Sequence, residues 1–278
     1  MSAFVELTEA ELVFRFGAGL PDDIGSSLGV TVARFGGGVL CSMTDSLSGG
    51  GWSRSIGLGV TEPVTGDLIG DTIDFHRRHG SPQALIQIAP ELLPPDWDDI
   101  CSAYGLTVGD GLVRLVCDIE DFTPGGSYLR VDLISREELG EWTALIASEL
   151  GPNGKKLAPM FAAVVGNPHF RSFAAWDDEE LVAVGNLFLH GEGASFITGI
   201  TKPSHRGRGA QSALIAARAR VAAEAGCRWL TAATVRPTEE KSVTSYNNLV
   251  RAGFSPLYHR PDWIWRPGRG ASPADSAR

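Results

Sequence analysis

Cysteine is scarce: Cys41, Cys101, Cys117 and Cys227 are the only four in a chain of 278 residues. They form no Cys-x-x-Cys pair and no metal-ligand spacing, which argues against a zinc ribbon or a disulfide framework and leaves reduced, buried thiols as the expectation. No apolar run approaches the ~20 residues that span a bilayer. The opening MSAFVELTEAELVF carries glutamates where a signal peptide needs lysine or arginine, so the expected location is cytoplasmic, with no membrane partner. Positive charge is also in short supply: 24 Lys and Arg stand against 33 Asp and Glu, a net charge of −9. That balance repels a polyanion at long range, and no nucleic-acid partner is expected. His76 and His79 share a helix face but flank Arg77 and Arg78 just before Gly80, where positive charge suits a helix C-terminus, so no metal site is expected.

What is present describes a folding chain, 43% hydrophobic and 21% charged. The length suits two domains of roughly 130 residues. Composition shifts at EDFTPGGSY, where Pro124, Gly125, Gly126 and Ser127 separate two apolar-periodic regions. The expected organisation is a domain at 1–120, a linker at 121–127, a second domain at 128–266 and a disordered tail at 267–278.

After the linker, YLRVDLI alternates as a strand should, and SREELGEWTALIASELG opens with Ser135 and Glu138 at capping-box spacing before a helix. LAPMFAAVVG suggests a shorter helix. FRSFAAW, LVAVGNLFLH and ASFITGITKP follow as three strands of an antiparallel meander. A further helix repeats Ala210, Ala213, Leu214, Ala217 and Val221 at helical spacing, with Arg218 and Arg220 falling away from that stripe, and Gly226 stops it. CRWLTAATV, VTSYNNLVRAG and FSPLYHRPDWIWR complete the half as strand, helix and strand. The first half runs in a similar order through GWSRSIGLGV, GDLIGDTIDFHRRHG, ALIQIAP, WDDICSAYG and LVRLVCDI, which points to a diverged duplication. Gly36-Gly37-Gly38 and Gly49-Gly50-Gly51 read as turn and loop glycines.

The segment SHRGRGAQSALIAARAR carries the chemistry. Gly207 and Gly209 allow backbone angles closed to other residues and a close approach by a ligand. Consecutive N–H groups can then converge as an anion nest, and the helix behind them brings about half a positive charge to its first turn. A pyrophosphate suits such a device, with Arg206 and Arg208 adding charge. A dinucleotide fingerprint fails because its third glycine would fall at Ser212, and a Walker loop fails for want of Gly-Lys-Ser/Thr. A solvated surface loop is the plain alternative. The matching loop of the first half, GVTEPVTGDLIG, has a glutamate and no Arg-Gly-x-Gly, so phosphate is not expected there.

TKPSHRGRGAQSAL resembles motif A of the GNAT acetyltransferases, and SYNNLVRAGF resembles the helix and Gly-Phe turn that follow it in that family. The resemblance covers residues 128–266. It extends more loosely to SRSIGLGV and IQIAP, which look like the degenerate half of tandem GNAT proteins. It implies an α/β (α+β) chain of two tandem GNAT-like domains, each a mixed, twisted, mainly antiparallel sheet flanked by helices, with acetyl coenzyme A lying where two strands splay apart. By position, the amides of Gly207, Arg208, Gly209, Ala210 and Gln211 would hold the pyrophosphate, with Arg206 and Arg208 close by. Ile200 and Thr201 would hydrogen-bond the pantetheine arm, and Asn248 would contact the cofactor or simply face solvent. Gln211 departs from the family pattern, which places a tiny residue there and implies a clash unless the side chain turns away. Leu249 departs too, standing where many members have the tyrosine that protonates the leaving thiolate. Tyr246, three residues earlier, is the candidate acid, with a packed tyrosine, Tyr258 or water as alternatives. A water relay would serve as base. The implied function is acetyl transfer from acetyl coenzyme A to a primary amine of a small molecule or peptide by direct attack in a ternary complex, the first half serving as scaffold and pocket wall. A noncatalytic coenzyme A-binding or protein-interaction module is the alternative.

Overall fold

The structure, a computed structural model, describes residues 1–45 and 51–268; Gly49, Gly50 and residues 269–278 of the expected tail lie outside the described residues. The chain divides into two compact units, one of Met1–Leu112 with the chain from Tyr258 onward, the other of Val113–Leu257.

In chain order the elements are α1 (Ser2–Ala18), α2 (Asp22–Leu28), β1 (Val30–Phe35), β2 (Gly38–Met43), β3 (Arg54–Ile56), α3 (Gly66–Arg78), β4 (Ala84–Gln87), α4 (Trp97–Tyr104) and β5 (Thr107–Asp118). There follow β6 (Arg130–Leu133), α5 (Leu139–Glu149), α6 (Gly154–Ala162), β7 (Phe170–Asp177), β8 (Glu180–His190), β9 (Gly193–Thr201), α7 (Ala210–Glu224), β10 (Trp229–Thr234), α8 (Thr244–Arg251) and β11 (Ser255–Trp265). The series α1 to β5 and the series α5 to β11 repeat one order: two helices, three strands, helix, strand, helix, strand. β6 precedes the second series without a counterpart in the first.

Each unit holds one parallel strand pair, β3 with β4 and β9 with β10, bridged by a crossover helix, α3 or α7. The other pairings are antiparallel: β1–β2, β2–β3 and β4–β11 in the first unit, and β5–β10, β8–β9, β7–β8 and β6–β7 in the second. The last strand of each series is thus exchanged. Trp263, Ile264 and Trp265 of β11 pair with β4, while Val113 to Asp118 of β5 pair with β10.

Local chemistry sets the element ends. Ser135 and Glu138 close their box in both directions, with Ser135 N–H on Glu138 Oε2 at 2.7 Å and Glu138 N–H on Ser135 Oγ at 3.3 Å. The box forms a turn, and α5 proper begins at Leu139. Thr65 caps α3 by accepting from the Leu68 N–H, and Arg77 and Arg78 occupy its last turn, where cations meet unpaired carbonyls. Asp178 turns β7 into β8 at φ 52°.

Ile56, Leu58, Ile69, Ile73, Ile86 and Ile88 centre the core of the first unit, and Leu115, Phe173, Leu187, Leu214, Leu230 and Phe254 that of the second. The first unit also buries a charged network. Arg260 Nη1 reaches both oxygens of Glu6 at 2.7 and 2.8 Å, its Nη2 lies 2.9 Å from Glu9 Oε2, and the Tyr258 hydroxyl donates to Glu6 at 2.5 Å. Burial works to lower the Arg260 guanidinium, but Glu9 and Glu6 outweigh it and hold the group above its ordinary value. These acids lie on α1, a segment whose opening glutamates read from sequence only as the wrong charge for a signal peptide. Cys41, Cys117 and Cys227 are buried and Cys101 half-buried, all unpaired. Burial pushes Cys41, Cys101 and Cys117 up to about 11, so these thiols stay protonated at neutral pH.

Candidate active site

Parallel pairing of β9 with β10 runs from Gly193↔Trp229 to Phe196↔Ala232 and stops there. β9 continues to Thr201 and β10 to Thr234, each keeping its other neighbour. The strands therefore part beyond Phe196, and the edge of β9 from Ile197 to Thr201 is left without β10. β9 is also irregular on its other side. Asn186 pairs with Ile197 and Val184 with Ile200, so Thr198 and Gly199 both stand against Gly185, with Thr198 at φ 54°. This is a β-bulge at the point where the strands diverge.

The turn after β9 leads into α7. Gly207 and Gly209 have φ of 78° and 83°, the left-handed region, and nothing lies within 4 Å of a Cβ placed on Gly207. Among the described residues, none of the N–H groups from Gly207 to Ser212 has a hydrogen-bond acceptor; the first bond of the helix is Ala213 N–H to Gly209 C=O at 2.9 Å. Six consecutive donors are thus free at the positive end of a fifteen-residue helix. The first turn of α7 is flanked by the linker, since a Cβ on Gly209 would lie 3.4 Å from Ser127 Oγ. A separate groove of about 570 Å³ lies between the linker and Ala213, Ala216, Ala217 and Arg220, on the side of α7 turned away from β9.

The two arginines expected near the phosphate, and Lys202 before them, are already paired. Arg206 Nη2 lies 2.7 Å from Glu149 Oε2, Arg208 Nη1 3.8 Å from Asp177 Oδ2, and Lys202 Nζ 3.1 Å from Glu180 Oε1. Both arginines are exposed, so exchanging a carboxylate for a phosphate costs little. The Gln211 side chain lies on β9. Its Nε2 donates to Thr201 Oγ1 at 2.8 Å, and it fits because Gly199 lacks a side chain: a Cβ there would sit 2.9 Å from Gln211 Oε1.

Arg218 corrects the sequence reading. Expected off the buried stripe, it is 3% exposed. Its Nε donates to Leu214 C=O at 3.0 Å and its Nη1 to the carbonyls of Asn186 and Ile197 at 3.3 and 3.4 Å, over the ring of Phe196. Those carbonyls come from distant strands at the bulge, so helical periodicity gave no sign of them.

Tyr246 is half-buried against the core of the second unit, its hydroxyl free of protein partners among the described residues. Leu249 is core. Asn248 Oδ1 accepts from Arg251 at 3.0 Å on the helix surface. Tyr258, an alternative acid in the sequence reading, is committed to Glu6 in the first unit, and burial with Glu6 raises its hydroxyl further; it is corrected to a structural residue. Sequence reasoning also missed Thr234 Oγ1 and Ser245 Oγ, which sit 2.5 Å apart at the end of β10.

The first unit has the corresponding turn after β3, and it is filled. Leu58 and Val64 are buried, and a Cβ on Gly59 would lie 2.9 Å from Val64 Cγ2 and 3.1 Å from Leu92 Cβ. Glu62 faces solvent, so packing rather than its charge closes this loop. His76 of α3 is also consumed internally, Nε2 at 2.9 Å from Ser55 Oγ and Nδ1 at 3.0 Å from Ser81 Oγ.

Residues 136–249 match the model of the acetyltransferase (GNAT) family. Among the curated proteins, no sequence match was found. The fold is similar to that of a GCN5-related N-acetyltransferase from Kribbella flavida, at 14% identity and TM-score 0.60, covering 99% of this chain and 98% of that one. It is also similar to a tandem GNAT protein from the clavulanic acid biosynthesis pathway, at 14% identity and TM-score 0.55, covering 87% and 82%. A conserved protein from Staphylococcus epidermidis, described as functionally unknown, matches at 13% identity and TM-score 0.54, covering 74% and 82%. No helix of the described residues is long and apolar enough to cross a membrane. The chain thus has a tandem GNAT-like fold, and residues 136–249, less than half of it, match the acetyltransferase (GNAT) family.

Proposed function

We propose that the second unit binds acetyl coenzyme A at the β9–β10 splay and transfers its acetyl group to a primary amine of a small molecule or peptide. The carrying observation is the row of six unpaired N–H groups from Gly207 to Ser212 at the N-terminus of α7. The donor set fits a pyrophosphate: it is open at Gly207 and backed by a helix dipole, with the exposed Arg206 and Arg208 able to exchange their carboxylate partners for it. The bound thioester supplies an activated acyl group.

The rest is done by the chain. Gly207, Arg208, Gly209, Ala210 and Gln211 grip the diphosphate with their amides. Ile200 and Thr201 offer the pantetheine arm a strand edge that β10 has left unpaired, as a third strand would, and Asn248 contacts the cofactor from α8. Ordering both reactants on this edge supplies much of the rate for an uncharged amine, and main-chain N–H groups aimed at the carbonyl oxygen supply more. Tyr246 donates a proton to the leaving thiolate, and a water relay removes the one from the amine. The module boundaries 1–120, 121–127 and 128–266 belong to the same proposal, as two copies of one ancestral unit.

Leu249 in the core, with no tyrosine at that position, favours a second reading: a module that holds coenzyme A without catalysis. Calorimetric titration with acetyl coenzyme A, followed by thiol release across a panel of amines, separates the two. Binding with amine-dependent release supports acetyl transfer, and binding without release supports the module. Absence of binding would overturn both.

A further inference from the structure

Gln211, Leu214 and Arg218 fall on one stripe of α7, at i, i+3 and i+7, and that stripe lies along β9 where β10 has departed. At one end Gln211 holds Thr201 Oγ1 and lies flush on Gly199. At the other, the Arg218 guanidinium sits in the bulge itself. A Cβ on Gly185 would lie 3.2 Å from its Cζ, and its Nη1 serves carbonyls of both β8 and β9. Between these two points stands Thr198, a β-branched residue at φ 54°, a strained backbone state that persists only when the surroundings enforce it.

A buried cation is a costly way to fill space. No carboxylate pairs with Arg218 among the described residues, and burial alone pushes its guanidinium down to about 9, so it stays charged at neutral pH. Three carbonyl dipoles and the face of Phe196 compensate it. The guanidinium adds donors for the carbonyls of Leu214, Asn186 and Ile197, the last two forming the strand pair next to the bulge.

We propose that Arg218 and Gln211 are positioning residues, a two-point clamp that seats residues 197–201 of β9 on α7 and so holds open the edge that receives the acyl coenzyme A. The proposal rests on the acyl-transfer reading for its ligand, and on geometry alone for the clamp. Neither side chain takes part in the chemistry. Loss of the clamp lets the bulge relax and the strand edge wander, which raises KM for the cofactor and leaves kcat at saturating cofactor nearly unchanged.

Arg218→Met and Gln211→Ala in the full chain test it by amide exchange resolved at residues 197–201, calorimetry with acetyl coenzyme A, and the KM-against-kcat split. In Arg218→Met, exchange at 197–201 should rise at least about tenfold while α5 is unaffected, and cofactor affinity should fall roughly ten- to hundredfold, as displacement of a positioning surface does. Arg218→Lys should recover part of both, and Gln211→Ala should show a smaller change of the same kind. Unchanged exchange at 197–201 in Arg218→Met overturns the clamp. If that variant does not fold, Gln211→Ala decides: unchanged exchange and affinity overturn the proposal. If the native protein binds no acetyl coenzyme A, the acyl-transfer reading falls, and the exchange measurement still decides for or against the clamp.

Discussion

The crossover from β3 into α3 and the crossover from β9 into α7 are the same device put to opposite uses. Both follow the first strand of a parallel pair, and both pass through glycines in the left-handed region, Gly57 and Gly59 in one, Gly207 and Gly209 in the other. In the first, the bend is filled by Leu58, Val64 and Leu92, and α3 is closed by its own threonine cap. In the second, the bend carries no apolar filling, α7 has no side-chain cap, and the amides are left for something else. A helix start can be satisfied from inside the chain or kept unsatisfied for a ligand. The first unit takes the former course; in the second, the N–H groups from Gly207 to Ser212 have no acceptor among the described residues, which is what the proposed cofactor site requires.

The contrast predicts that substitutions in the first unit change stability and those in the second change binding. The largest effect is expected at Arg260. Arg260→Met leaves Glu6 buried without its partner and should cost about 3–5 kcal/mol in chemical denaturation. The folded fraction should bind acetyl coenzyme A as before. A loss of affinity as large as the loss of stability would break the contrast.

Next comes acid. Burial lowers His76 from 6.5 to about 4, so the folded protein keeps this ring neutral while the unfolded chain protonates it. The resulting stability is fully present above pH 6.5 and is lost as pH falls toward 4. The loss is on the order of 3 kcal/mol by linkage at about 1.4 kcal/mol per unit. Denaturation midpoints across that window should show this slope, and His76→Gln should flatten it.

A smaller and sharper test sets two glycines against each other. Gly209→Val forces a branched side chain into φ 83° beside Ser127 and should weaken acetyl coenzyme A binding about ten- to hundredfold by calorimetry. Gly59→Val, at φ 86° against Val64, should lower the melting temperature and leave affinity unaltered. Smallest of all, Arg206→Ala removes an exposed pair with Glu149 and should change stability by less than about 1 kcal/mol. Its effect on cofactor affinity should be a few-fold at low salt and fade at high salt.

The features legible in the sequence were local ones. Glycines flanking arginines before an alanine-rich helix, and a serine three residues ahead of a glutamate, announce themselves within a few positions, as do strands that alternate. Residues 2–43 gave no secondary-structure reading beyond the glycines near 37, because α1 turns Glu6 and Glu11 inward and so breaks the hydropathy pattern that marks a buried face. Arg218 was placed on the wrong side of α7 for a related reason. Its burial depends on carbonyls beside a bulge in strands about twenty and thirty residues away, and nothing near position 218 reports them. The closed first loop was read through Glu62, the visible charge, although the apolar neighbours close it.

The traded strands β5 and β11 bind the fate of the two copies together. Cutting the gene within residues 121–127 would give each fragment a strand it has no place for and withhold the one its sheet requires, leaving β4 and β10 with a raw margin open to self-association. Neither half of the chain can therefore complete its own sheet without a strand supplied by the other.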